Sequence, residues 1–501
     1  MATIVPRWEW RTFGTRFGSA EAAFAALTPE GTKDSDELYL LVPGGANVKV
    51  RDELLDIKVL EETDANGLEQ WMPVMKQEFP LRAGDVAKVF AALGVAIPPL
   101  DRDAYSLDQL LDELVEPSIA IRSVNVHKHR VRFVVGGCMA ELSDVIVEGR
   151  STRTIAVESE DGAAVTGAVH DLGLGGYLNT NYIRGMTRAI DEEPARYAVI
   201  DVGTNSVKFH LGEPAADGSW TTVVDRAEVT RLGEGLDEQA VIAPEALERT
   251  AAAITSMVEE ASQQGALAIV AVGTAGLRIA ENRDDVIATI RERSGVTVEV
   301  IPGAEEGRLA YVAVQASLGL SGGSLVVFDT GGGSSQFTFG EGSRVNDRFS
   351  VEVGAVRYTE RFGLDRAVSE EVLDAALGAI SSDLSAIDAR PVPDALVGMG
   401  GAITNITAVS HSLATYDPDV VQGTILGRKE IDRQIELYRS MDAASRRSIV
   451  GLQPKRSDVI LAGACIVKTV MDKLSQESLT VSDRGLRHGL TVERFGAELA
   501  P

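Results

Sequence analysis

Two aspartates, Asp201 and Asp329, each follow an apolar run and each precede a glycine-bearing turn. The first stretch, residues 197–213, reads YAVIDVGTNSVKFHLGE, and the second, residues 325–337, reads LVVFDTGGGSSQF. In each, the apolar run predicts a buried strand that ends on the acid. A carboxylate at a strand tip can hold Mg²⁺, or another divalent cation, directly or through water beside a phosphate. Gly331, Gly332 and Gly333 carry no Cβ, so backbone N–H groups there can wrap an anionic oxygen, with Ser334 alongside. Taken alone, such a loop is equally a glycine-rich hairpin turn capped by Asp and Ser. The two stretches, however, match at a constant offset. Asp201 pairs with Asp329, Gly203 with Gly331, Ser206 with Ser334, and Glu213 with Glu341, always 128 positions apart. A fixed-offset repeat of strand, Asp-Gly loop and returning strand marks a duplicated unit. Two facing copies would set Asp201 and Asp329 on opposite walls of one cleft, with the Gly203-Thr204-Asn205-Ser206 turn opposite the triglycine loop. That geometry suits phosphoryl transfer, which needs backbone donors, a metal and a group to orient the attacking water.

Further candidates lie between and after the repeats. Arg278 follows a short apolar strand and a small-residue turn, GTAGLR, where a guanidinium can meet a phosphate bidentately or simply sit on a helix surface. Glu305 and Glu306 open a helix from Pro302 to about Ser317. Acids are favoured in a first helical turn by the helix dipole, yet one of the two can instead point into the cleft as a general base for water. Gly400 and Gly401, in ALVGMGGAIT, follow a third strand and either cradle another phosphate or allow tight packing. Lys455, Arg456, Arg487 and His488 are basic residues that either supply local positive potential or face water.

The elements that must position these groups alternate strand and helix. Residues 244–263 are amphipathic and begin with Pro244, a favourable first-turn residue. The charged segment 191–196, DEEPAR, marks a boundary, dividing the chain into residues 1–195, 196–321 and 322–501. The first part alternates charged and apolar residues with period two, as in NVKVRDELLDIK at 47–58 and RVRF at 130–133. Lys49 and Arg51 then share one face of a sheet, as do Arg130 and Arg132. A closed sheet lined with such charges makes a polar tunnel able to grip a polyphosphate, and an open one leaves them in water.

The chain has 501 residues, 48 basic against 74 acidic, for a net charge of −26. An acidic surface of this size argues against nonspecific nucleic-acid binding, and it requires local basic patches wherever a polyanion is to bind. Two cysteines, Cys138 and Cys465, in apolar contexts provide no disulfide framework and point to a reducing cytoplasm. The opening MATIVPRWEWRTF has charges and aromatics where a signal peptide needs an apolar run, and no stretch is apolar enough for a membrane span.

Residues 197–490 resemble the Ppx/GppA exopolyphosphatase and guanosine pentaphosphate phosphohydrolase family of the actin-like ATPase superfamily. The motifs that carry the resemblance occur in order: IDVGTNSVKF, AVGTAGLR, IPGAEEGRLAY, VVFDTGGGSSQF, VGMGGAITN and DRGLRHGL. The resemblance implies a duplicated actin-like, ribonuclease H-like α/β pair. It implies Mg²⁺-dependent release of terminal phosphate from polyphosphate or of the 5′ γ-phosphate from pppGpp. It places Asp201 and Asp329 at metal and phosphates, Arg278 on phosphate and Glu306 as the base, and it implies a homodimer. The family's phosphate loop ends in an acid, GGGSTE, where this chain has Gln336. An amide can orient water or bind a phosphate, but it takes no proton and is a poor Mg²⁺ ligand. Longer members add an HD-type domain, for which no counterpart follows His488 here. A catalytically weak sensor that grips polyphosphate or nucleotide is the alternative reading, and a sugar or acid kinase on the same scaffold would consume ATP only with an acceptor present. Residues 5–190 resemble a divergent CYTH, or triphosphate-tunnel, domain, a β-rich antiparallel fold. Of that family's opening Glu-x-Glu-x-Lys, the segment Arg7-Trp8-Glu9-Trp10-Arg11 keeps only Glu9, which implies phosphate-chain or nucleotide binding rather than metal-dependent triphosphatase chemistry.

Overall fold

The computed structural model describes residues 5–496, apart from 65–66, 205, 216–217, 235, 237–239 and 321. Eight antiparallel strands in the N-terminal part close into a barrel. Around it run Arg7–Gly14, Arg150–Ser159, Cys138–Val147, Arg122–Val135, Gly31–Leu41, Asn47–Arg51, Leu54–Thr63 and Glu69–Glu78, the last pairing back onto the first. Period-two alternation gives this barrel a polar lumen, with an outer face that is apolar where helices cover it and polar where it meets water, as at Asp34, Asp36 and His127. On Asn47–Arg51, Val48 and Val50 face outward and are buried with Val86, Val89 and Phe90 of the helix Ala83–Leu93. Lys49, between them, faces the lumen. The closed barrel fits the β-rich tunnel reading.

Two α/β units follow, and their sheets are ordered alike. The first sheet runs Trp220–Val229, Ser206–Pro214, Arg196–Val202, Ala266–Gly273, Val298–Val300. The second runs Arg344–Val351, Ser335–Glu341, Ser324–Thr330, Ala395–Met399, Ser478–Val481, Ile425–Gly427. In both, the Asp-bearing strand pairs antiparallel with its returning hairpin strand and parallel with the strand on its other side. The duplication extends to single hydrogen bonds: Gly203 N–H donates to Ser206 O at 3.1 Å and Gly331 N–H to Ser334 O at 2.9 Å. The helix Pro244–Gln263 covers the first sheet, burying Ala251, Ile254 and Met257. The helix Ile460–Lys473 sits at the centre of the second core.

The C-terminal helix Leu486–Phe495 returns to the first unit. Phe495 stacks on Tyr197 of the first Asp-bearing strand, ring centroids 4.6 Å apart. Gly489 permits its seating on the helix Gly303–Leu318, because a Cβ there would stand 1.9 Å from the Leu309 carbonyl oxygen. Tyr177 and Phe17 of the N-terminal part join the same aromatic cluster, so barrel and first unit share one core. Among the described residues no helix is long and apolar enough to cross a membrane.

Candidate active site

Asp201 sits at the end of Arg196–Val202, its side chain almost wholly buried. Directly across the hairpin, Lys208 donates from Nζ to Asp201 Oδ2 at 3.1 Å. Asp201 holds the ammonium above its ordinary pKa, and Asp329 adds to that effect. Asp329 itself is raised by burial, against the opposing pull of Lys208 and Arg456. Lys208 therefore interacts with both strand-tip acids, one from each repeat. Applying the repeat offset to Lys208 gives Gln336, which occupies the same register position opposite Asp329. Gln336 is exposed and donates from Nε2 to Ser334 Oγ at 2.9 Å and Ser350 Oγ at 3.4 Å. At this equivalent position the first half of the cleft carries a cation and the second an amide. Sequence reading passed over Lys208, although the 128-residue offset that paired the aspartates also pairs 208 with 336.

The two adjacent acids of the helix Gly303–Leu318 separate. Glu305 accepts from Arg308 one turn along the helix, at 2.9 Å from Nε. Glu306 turns the other way and accepts from Arg278 Nη1 at 3.2 Å. Burial raises the Glu306 pKa, Arg278 opposes the rise and Asp201 adds to it. Arg278 also donates from Nη1 to the Ile301 carbonyl at 2.9 Å, which fixes the guanidinium at the mouth of the short helix Ala275–Ile279. Thr204 is clasped between Gly233 and Gly276, where a Cβ would lie 2.2 and 3.1 Å from its side chain. Asn205 lies outside the described residues.

On the second wall, the carbonyls of Gly331 and Gly332 accept from Ala355 and Val356 N–H, both at 2.9 Å, anchoring the triglycine loop from behind. Gly400 has φ +92°, and a Cβ there would fall 2.1 Å from Asp329 Oδ1. Its neighbour Gly401 meets the Arg456 guanidinium the same way, at 2.5 Å. The glycine pair therefore packs on Asp329 and brings Arg456 to it. Of the other basic candidates, Lys455 is exposed beside Arg456, while Arg487 and His488 are bound to Asp225.

The barrel lumen is a second polar site, a cavity of about 140 Å³. Arg11, Lys49, Lys58, Lys128, Arg130 and Arg132 line it, against Glu9, Asp56, Glu141 and Glu158. At one end Glu37, fully buried, accepts from Lys128 at 2.9 Å, Lys49 and Arg51 at 3.3 Å each, Arg130 at 3.4 Å and Tyr39 Oη at 2.9 Å. Burial alone would raise its pKa, but Lys128, Lys49 and Arg130 drive it far below the usual carboxylate range. Burial pushes the Lys128 ammonium well down. Glu9 is paired with Arg11 at 2.7 Å. Alternation places these cations on one face, but Glu37 was not legible as their hub.

Two carboxylates, a glycine loop from each repeat and an Arg–Glu pair thus converge between two like-folded units of the actin-like type. The comparisons with known proteins point the same way. The model of the "Ppx/GppA phosphatase family" matches residues 214–498, more than half of the chain. The chain belongs to the Ppx/GppA phosphatase family. It is 29% identical over 324 residues to "Exopolyphosphatase 2" of Mycobacterium tuberculosis, covering 60% of this chain and 99% of that protein. It is 30% identical over 302 residues to the "Guanosine-5'-triphosphate,3'-diphosphate pyrophosphatase" of Photobacterium profundum, 59% of each. The crystal structure of the Aquifex aeolicus Ppx/GppA phosphatase, type II variant, superposes with a TM-score of 0.56 at 30% identity, over 60% of this chain and 99% of that one.

Proposed function

We propose that the cleft releases the terminal phosphate of inorganic polyphosphate by attack of water, making the protein an exopolyphosphatase. The observation that carries this reading is the convergence of Asp201, Asp329, Lys208 and the Arg278–Glu306 pair on one locus, with Asp201 buried and Glu306 and Lys208 open to solvent. Glu306 takes the proton of the attacking water as its oxygen bonds to the terminal phosphorus and the bridging P–O bond breaks. Its raised pKa suits that role. Arg278 holds Glu306 until an incoming phosphate draws the guanidinium bidentately, which frees the carboxylate. Lys208 and Arg456 offset charge on the substrate, and backbone N–H groups of Gly332 and Gly333, with Ser206 and Ser334, cradle its oxygens, while the Gly203 and Gly331 N–H groups close their own turns. Gly400 and Gly401 keep the wall close enough for Asp329 to face it. The donor set of Asp201 and Asp329, hard oxygens at two strand tips, fits Mg²⁺. When bound, that ion neutralises phosphate charge. Gln336 takes no proton, so proton transfer falls to Glu306 alone.

The barrel is proposed to hold a phosphate chain through Lys49, Arg51, Arg130 and Arg132, without hydrolysing it, since Glu9 and Glu37 are claimed by cations. The whole is read as a cytoplasmic enzyme, and a homodimer is the assembly to test by its mass in solution. Hydrolysis of pppGpp to ppGpp is the second reading, favoured by the similarity to the Photobacterium protein. Phosphate release from long-chain polyphosphate and from pppGpp, each with Mg²⁺ and with EDTA, decides between them. Release from polyphosphate with Mg²⁺ is expected, and release from neither substrate would leave only a binding protein.

A further inference from the structure

Beside the cleft, on the first unit, lies a group of side chains the hydrolysis does not use. His210 and Asp225 face each other across paired strands, and His488 reaches them from the C-terminal helix. His210 is 2% exposed, and its Nδ1 is buried without any hydrogen-bond partner. A buried nitrogen left this way has forfeited its water and gained nothing in return. His488 Nε2 stands 3.1 Å from Asp225 Oδ2, and His210 Nδ1 stands 4.0 Å from that same oxygen. All three ligand atoms lie within 4.8 Å of one another. Arg487 holds Asp225 from the other side, Nε to Oδ1 at 2.9 Å and Nη2 to Oδ2 at 3.0 Å.

We infer that His210 Nδ1, Asp225 Oδ2 and His488 Nε2 form a transition-metal site, for Zn²⁺ in the first instance, separate from the phosphate cleft. Two imidazoles and one carboxylate are the ligands of Zn²⁺ and its neighbours, whereas Mg²⁺ takes oxygens. With metal bonds of about 2.0–2.2 Å, ligand atoms of a tetrahedral site stand roughly 3.3 Å apart. The Asp225–His488 separation already meets this, and His210 closes the triangle by swinging inward about 1 Å. Metal on His488 Nε2 moves that ring's proton to Nδ1, which gives up the 3.3 Å contact with Gly485 N–H. Arg487 keeps Asp225 oriented through Oδ1, the outer-shell support a ligating carboxylate needs. Asp225 stands at the solvent edge of the group, which supplies an entry path and a fourth position for water. A bound ion would fasten the C-terminal helix to the strands carrying His210 and Asp225.

The full-length protein, stripped with EDTA and desalted into excess Mg²⁺ so that oxygen-donor sites are filled, is titrated with ZnCl₂ by calorimetry. Thermal unfolding is followed in parallel, and Co²⁺ serves as a visible-spectrum probe. One equivalent of Zn²⁺ is expected to bind with a rise in unfolding temperature. His210→Leu and His488→Gln should each weaken binding at least tenfold and remove the rise, with unchanged far-ultraviolet circular dichroism. Absence of a one-equivalent Zn²⁺ event in the wild-type protein overturns the assignment, as does unchanged affinity in His210→Leu. If either variant fails to fold, the wild-type Co²⁺ spectrum decides: a ligand-field band of nitrogen coordination supports the site, and a purely aquo spectrum ends it.

Discussion

The barrel lumen and the α/β cleft are both clusters of opposite charges in a protein of net charge −26, yet cations are in excess in the first and not in the second. At one end of the lumen Glu37 is surrounded by Lys49, Arg51, Lys128 and Arg130, and along the rest Arg11, Lys58 and Arg132 join them against Glu9, Asp56, Glu141 and Glu158. In the cleft Asp201, Asp329 and Glu306 share Lys208 and Arg278, with Arg456 nearby. An acid saturated with cations leaves surplus positive charge, which suits holding an anion. Acids whose cations an incoming phosphate can draw away have charge to spend on a metal and a proton, which suits breaking one. Placement follows the same logic. The lumen cations come from regular strands locked by their neighbours, whereas the cleft acids sit at strand tips and in a first helical turn, where a ligand can reach them.

The sharpest way to break the contrast is Glu306→Gln. Loss of the general base should lower phosphate release about 10²–10⁴-fold while the unfolding temperature holds. A variant that kept full activity would remove Glu306 from its role. In the lumen the equivalent change acts on stability instead. Glu37→Gln leaves four cations facing one another and should cost about 3–5 kcal/mol in urea unfolding. Its pH signature has a definite sign. The folded-state pKa of Glu37 lies below its unfolded value, so its contribution is present above the ordinary glutamate range and fades as pH falls through it. The variant should lack that acid-side loss, and an identical pH–stability curve would contradict the hub.

Smaller effects sharpen the picture of the cleft. Glu306 must be ionised to accept a proton, so activity falls as pH drops through its raised pKa. In the free enzyme Arg278 favours the ionised form, and Arg278→Met should therefore move the acid limb of the kcat/KM profile to higher pH. A limb that stayed put would mean that the ion pair does not set the Glu306 pKa in the free enzyme. Smallest is Lys455→Ala with Arg456→Ala. Exposed charges are each worth up to about 1 kcal/mol, so KM for long-chain polyphosphate should rise about fivefold, more at low salt. An unchanged KM would leave these residues outside the substrate path.

Local pattern carried much of this architecture. The apolar runs ending on Asp201 and Asp329, the constant 128-residue offset, the proline-led helix at 244–263 and the alternation at 47–58 are all readable one segment at a time, because strand and helix periodicity are properties of neighbours along the chain. What the chain order could not disclose is who faces whom. Lys208 became the partner of Asp201 through hairpin register, and Glu305 and Glu306 parted only because the helix lies with one side toward Arg278 and the other along Arg308. Glu37 became a hub when strands distant in sequence closed a barrel, and His488 reached His210 only when the last helix folded back on the first sheet. Such pairings are set by the burial of whole surfaces against one another, a balance summed over many residues that no single stretch contains.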